Sequence, residues 1–159
     1  EQPGILATDI HSDGRHVDIL CVPGHIHGGA VTGDPFLRMD GQAVFKLAVG
    51  VLEQTAKASL AKAHLSTDQI DWLVPHQANV RIIQAACERL GIPMERAATV
   101  LHYTGNTSSA SIPLALGDAL DNGRVQQGDL VLLVGFGAGM TAASAILRWG
   151  GEPNEEVTA

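Results

Sequence analysis

Three scarcities narrow what this chain can do. Basic residues are outnumbered, ten Lys and Arg against seventeen Asp and Glu, for a net charge of −7. Neutralising phosphates needs a basic face, so the balance argues against a nucleic-acid partner. Cysteine is almost missing: Cys21 and Cys87 stand far apart, without C-x-x-C spacing. That is no disulfide framework, and it points to reduced core thiols of a cytosolic protein. Apolar runs of membrane-spanning length are lacking too, since Val125 to Ala138 is broken by Gln, Asp and Gly. The start, Glu1-Gln2-Pro3-Gly4, shows no basic region followed by an apolar one and no initiator Met. A cytoplasmic protein, or a piece of one, with no membrane partner is the expectation.

What remains is rich in buried-type residues. With 159 residues, 45% hydrophobic and 17% charged, the chain can build one α/β domain with a real core. Ile5 to Asp9 and Val17 to Val22 read as a strand pair around the turn Ser12-Asp13-Gly14. The stretch Pro23 to Pro35 is too rich in glycine for either regular element. Phe36 to Met39 is a short β candidate before Asp40-Gly41. From Gln42 to about His64, Val44, Phe45, Leu47, Ala48, Val51, Leu52 and Ala56 form an apolar surface broad enough for a helix packed between layers. Ser66-Thr67-Asp68-Gln69 has the form of a capping box before the apolar run Trp72 to Val74. A helix over Val80 to Leu90 is punctuated by Gly91 and Pro93. Ala98 to Leu101 is a further β candidate. Ser108 to Leu120 forms a helix whose small first residues predict deep burial. Leu130 to Val134 and Thr141 to Trp149 are strands joined by Gly135-Phe136-Gly137-Ala138-Gly139. Strands alternating with helices predict a largely parallel sheet, the last pair antiparallel. Residues 150–159 form an acidic tail.

Chemistry concentrates in few places. His76 follows the apolar run at Pro75, where open α/β sheets keep their ligand crevices; taken alone, such a histidine is more often structural than catalytic. Asn106 follows Gly105 at the start of a helix, where Asn also serves as an ordinary turn or cap residue. The Gly135 to Gly139 segment joins two strands with no helix after it, so the dinucleotide fingerprint lacks its context. A plain hairpin and a backbone oxyanion hole both remain open for it. His25 and His27 share a face if extended, but no third ligand stands at metal spacing, and a solvated loop is the better reading. No resident metal is expected.

Three motifs then stand in one order: Val74-Pro75-His76-Gln77-Ala78-Asn79-x-Arg81, Gly105-Asn106-Thr107-Ser108-Ser109-Ala110-Ser111, and Gly135-Phe136-Gly137-Ala138-Gly139. Together they resemble the C-terminal half of a β-ketoacyl-acyl-carrier-protein synthase III, of the thiolase superfamily, over residues 3–149. The first two motifs are specific, the third supportive. Relatives fit less well. A degradative thiolase would carry a second Cys near Phe136, an elongating ketosynthase would have His at Asn106, and a plant-type polyketide synthase would lack Gln77-Ala78-Asn79. Thr104 departs from the aromatic or His expected before Gly105.

The resemblance implies an α/β fold, one half of a thiolase-like fold, with a mixed, mostly parallel sheet in the order β-α-β-α-β-α-β-β. It implies condensation of an acyl-CoA primer, often acetyl-CoA, with malonyl-acyl carrier protein, initiating fatty-acid synthesis in the cytoplasm with no resident cofactor. His76 and Asn106 would hold the malonyl thioester oxygen, and the backbone N–H of Ala138 would serve a second oxyanion hole. Gln77, Ala78, Asn79, Val80, Arg81 and Lys46 would meet the carrier protein, and Asn79 and Phe45 the pantetheine arm. The nucleophilic cysteine belongs to the preceding half, so this chain alone is expected to be inactive and to associate with that half in a homodimeric enzyme. The alternatives are a non-catalytic partner half, or a related ketosynthase of secondary metabolism.

Overall fold

The structure, a computed structural model, describes residues 2–150; the acidic tail, apart from Gly150, lies outside the described residues. The first strand, β1 (Gly4–Ser12), is followed by a 3-10 segment over Gly14–Ile19. Short strands come next: β2 (Leu20–Cys21), β3 (His25–His27), β4 (Ala30–Thr32) and β5 (Arg38–Met39). The long helix α1 (Gly41–Ala63) leads to β6 (Trp72–Pro75) and α2 (Val80–Leu90). Then follow α3 (Leu101–Thr104), α4 (Ser111–Asp121), β7 (Leu130–Gly137) and β8 (Thr141–Arg148). No described helix is long and apolar enough to cross a membrane.

The main sheet has the order β1-β8-β7-β6. It is mixed, but its parallel part is smaller than expected: β6 runs parallel to β7, while β7–β8 and β1–β8 are antiparallel. Two local readings account for the difference. The expected N-terminal hairpin does not form, because β1 pairs with the distant β8 and residues 14–19 coil into a 3-10 segment. The β candidate at Ala98 contributes only a parallel bridge, Leu73 to Ala97, before the chain turns into α3. The glycine-rich stretch, expected to be irregular, holds the β3–β4 hairpin, whose turn residues Gly28 and Gly29 sit at φ 57° and 79°. The short strand expected near Met39 pairs with β2.

Helices cover β6 and β7 on both faces. Leu73, Leu132, Val134 and Ile146 bury against α1 and α2, while Val74 and Val131 bury with Ala115 and Ala119 of α4. Both faces of β6 and β7 are apolar for that reason, which is why they read as continuous runs. Local signals end the helices where expected. Asp40 Oδ1 accepts from the backbone N–H of Gln42 and Ala43 at α1, and Asn79 Oδ1 from Arg81 N at α2. At the α2 C-terminus Gly91 adopts φ 68°, and Gln69 Oε1 accepts from Ser66 N in the expected box.

Helices α4 and α1 are each buried on one side only. Helix α4 hides Ser111, Ala115 and Ala119 but exposes Pro113 and Leu114, so its expected deep burial is not completed within this chain. Helix α1 likewise packs on one layer, the sheet, with α2 beside it. A buried polar knot ties it there. Ser144 Oγ donates to Thr55 O at 2.8 Å and lies 2.9 Å from Ser59 Oγ, and Thr55 Oγ1 donates to Asp9 Oδ2 at 3.0 Å.

Candidate active site

Because β6 and β7 are parallel, their carboxyl ends open on the same edge of the sheet. There Pro75 gives way to His76, and β7 runs through Gly135 and Gly137 to Ala138. The strand is longer than its apolar run: Gly135 and Phe136 are ladder residues, and the turn proper is Ala138–Met140, with Gly139 at φ 69°. A Cβ on Gly135 would come within 3.1 Å of Ile112 Cδ1 and 3.4 Å of His76 Cβ, so the glycine lets the histidine lie close against β7.

A cleft of about 840 Å³ occupies this edge. His76, Asn106 and Ala138 all line it, as do Phe45, Ala78 and Asn79. His76 is half-buried, and desolvation holds its pKa below the ordinary imidazole value, so it is neutral at pH 7. Its Nδ1 lies 2.6 Å from Ser111 Oγ, and its ring meets Phe136 edge-on at 5.6 Å. The backbone holds it as well, through His76 N donating to Val134 O at 2.8 Å.

Asn106 is placed by a strained local path. Gly105 sits at φ 66° and ψ −161°, a conformation essentially reserved for glycine. Asn106 Oδ1 then accepts from Ser108 N at 2.9 Å, with Ser108 itself at φ 51°. An N–H must point at oxygen, which leaves the Asn106 amide NH₂ available as a donor. The cleft thus offers two neutral side chains able to donate hydrogen bonds.

Neither thiol takes part. Cys87 lies within α2, buried, its pKa pushed up to about 11 by desolvation and then by Glu88 and Glu95. Cys21 is only half-buried, not the core thiol expected, and does not line the cleft. His25 and His27 lie exposed on β3, away from the cleft lining.

One expected contact residue must be reassigned. Gln77 has no exposed surface and cannot meet a carrier protein. Its amide Nε2 donates to Pro75 O at 2.7 Å and Ala98 O at 3.2 Å, and its Oε1 accepts from Val100 N at 3.0 Å. It bolts the end of β6 to the segment leading toward Asn106. Ala78 is half-buried in the cleft wall, whereas Asn79, Val80, Arg81 and Lys46 are exposed. The Arg81 guanidinium lies 5.6 Å over the Phe45 ring, which puts a positive charge at the rim. Ser111 was missed in the sequence as a site residue; its small size marked it only as packing.

A mixed sheet flanked by helices, with His76 and Asn106 lining one cleft at the carboxyl end of its parallel pair, is the architecture of half of a thiolase-like fold. Comparison with known proteins is specific about which. Residues 60–149 match the family described as 3-oxoacyl-[acyl-carrier-protein (ACP)] synthase III C terminal. The solved 3-oxoacyl-(acyl carrier protein) synthase III of Pseudomonas aeruginosa superposes with a TM-score of 0.87 at 39% identity, over 95% of this chain and 46% of that one. The β-ketoacyl-[acyl carrier protein] synthase III of Thermus thermophilus is 46% identical over 96% of this chain and 48% of that one, with a TM-score of 0.84. The chain belongs to the 3-oxoacyl-acyl-carrier-protein synthase III C-terminal family, and it spans about half the length of these relatives.

Proposed function

We propose that this chain is the enolate-stabilising half of an acyltransferase that condenses an acyl-CoA primer, such as acetyl-CoA, with malonyl-acyl carrier protein and so begins fatty-acid chains. The observation that carries the reading is the pair of neutral donors, His76 and Asn106, lining one cleft with Ala138. A cysteine of the companion half takes the primer acyl group from CoA. The malonyl C–C bond to its carboxylate then breaks, carbon dioxide leaves, and the electron pair moves onto the thioester oxygen. His76 and Asn106 donate to that oxygen, stabilising charge that is largest in the transition state. The enolate carbon attacks the acyl-cysteine carbonyl, whose oxyanion is met by the Ala138 N–H and the nucleophile's own N–H. Collapse releases the thiolate and leaves a β-ketoacyl-carrier protein.

Asn79 and Phe45, in the cleft wall, would flank the pantetheine arm. Arg81, with Lys46, Asn79 and Val80 exposed near it, would receive the acidic carrier protein. The companion half, and a second copy of the whole enzyme, are the further partners of this reading.

Removing one oxyanion donor typically costs about 2.7–4 kcal/mol, or 10²–10³-fold in rate. In the enzyme assembled with its cysteine-bearing half, His76→Ala and Asn106→Ala should each slow malonyl decarboxylation by about 10²–10³-fold. Near-unchanged turnover in both variants removes the assignment.

A further inference from the structure

Ser111 opens α4 and is 1% exposed. Its Oγ has two partners, His76 Nδ1 at 2.6 Å and the backbone N–H of Gln77 at 3.3 Å, and no third among the described residues. A hydroxyl carries one hydrogen and two lone pairs. The Gln77 N–H can only donate, so it occupies one lone pair. Two arrangements are left for the histidine. If Nδ1 carried the imidazole proton, it would donate into the other lone pair, and the buried hydroxyl hydrogen would have no acceptor. If Nδ1 is bare, the hydroxyl hydrogen points at it and every group is satisfied. Buried polar hydrogens are seldom left without a partner, and the second arrangement is favoured.

We propose that Ser111 is a positioning residue that sets the tautomer of His76. A hydrogen-bond chain from Gln77 N–H to Ser111 Oγ–H to His76 Nδ1 keeps the imidazole proton on Nε2. That nitrogen lies on the opposite edge of the ring and has no partner among the described residues, in a side chain that lines the cleft. The consequence is chemical. An imidazole with the proton on Nε2 is a donor to an oxygen in the cleft, whereas the other tautomer turns a lone pair toward a developing enolate and repels it. The histidine is thereby fixed as an electrophilic partner rather than a base. Gln77 contributes at two points of this arrangement, since its side chain anchors the end of β6 and its backbone N–H completes the chain.

The catalytic consequence rests on the proposed role of His76, but the tautomer does not, so the two are tested apart. Nitrogen-15 shifts of the histidine rings are measured on the full chain above the pKa of His76, with His76→Gln used for assignment. The wild type should show a protonated Nε2 and a bare Nδ1, and Ser111→Ala should move the pattern toward the opposite tautomer while Ser111→Thr preserves it. A wild type protonated on Nδ1, or a pattern indifferent to Ser111→Ala, overturns the inference without needing any activity. In the assembled enzyme, Ser111→Ala should lower kcat for decarboxylation by up to about 10²–10³-fold, the loss of one donor, with KM little changed. A tautomer that shifts as expected while His76→Ala keeps its turnover supports the assignment of Ser111 and defeats the proposed role of His76. An unshifted tautomer with an inactive His76→Ala does the reverse.

Discussion

Desolvation alone depresses the His76 pKa; no charged group contributes to the shift. The native state therefore binds a proton at this site less readily than the unfolded chain, whose imidazole titrates near 6.5. Stability rises with pH wherever the unfolded state holds more protons. The contribution of His76 is thus fully present above the unfolded pKa and is lost as pH falls through that value toward the lower native one. Urea denaturation between neutral and mildly acidic pH should show this slope, and His76→Gln should flatten it; an unchanged slope contradicts the burial. The two thiols make a second contrast at the same scale. Cys87, at about 11, holds almost no thiolate at neutral pH and is covered, while Cys21 is half-exposed. Iodoacetamide on the native chain should label Cys21 and spare Cys87 until denaturant is added, which peptide mass spectrometry resolves. Residues differed in how readable they were. His76 and Asn106 announced themselves because a strand end and a glycine turn are local patterns. Ser111 did not, since its hydrogen bond joins positions that only the packing of α4 on β6 brings together.

Gln77 shows at the level of elements what a motif can conceal. Placed between His76 and Ala78, it reads as a surface contact, yet its side chain bonds the end of β6 to the segment before α3. Substitution by Ala would strand the Val100 N–H and the Ala98 carbonyl in a dry interior. Leaving a buried group unsatisfied costs about 1–3 kcal/mol, and Gln77→Ala should lose that much in urea denaturation. Arg81→Ala, at an exposed position, should stay within about 0.5 kcal/mol while weakening carrier-protein binding in a salt-dependent way. Equal losses in the two variants would erase the distinction between the buried bolt and the proposed docking residue. Helix limits were legible because caps are local chemistry: Asp40, Asn79 and Gly91 act where they stand. Strand partners were not. Nothing near Ile5 states that β1 will pair with β8, and the knot that fixes it draws Asp9, Thr55 and Ser144 from three distant segments.

At the scale of the whole molecule, one face of the sheet is unfinished. Along β8, Ala142, Ser144 and Ile146 turn toward α1 and are buried, while Thr141 and Ala143 turn the other way and are exposed. Ile10 pairs with Ala143, continues that open face, and is 76% exposed; Leu114 of the half-covered α4 is exposed as well. With Ala143 they give this side exposed apolar side chains that a partner could cover. The relatives are about twice as long as this chain, and the cleft holds two donors but no thiol. Both facts fit the reading proposed above, in which the occupant would be a cysteine-bearing half, seated so that its nucleophile would reach the cleft beside His76. Mixing this chain with the unmatched half of the Thermus thermophilus relative should yield a one-to-one complex in solution scattering. Ile10→Lys should weaken it, since a charge would be forced against an apolar partner. The same complex should recover malonyl decarboxylation that neither half shows alone. A monodisperse monomer that stays a monomer on mixing would mean that the open face and the open cleft are not two sides of one missing contact.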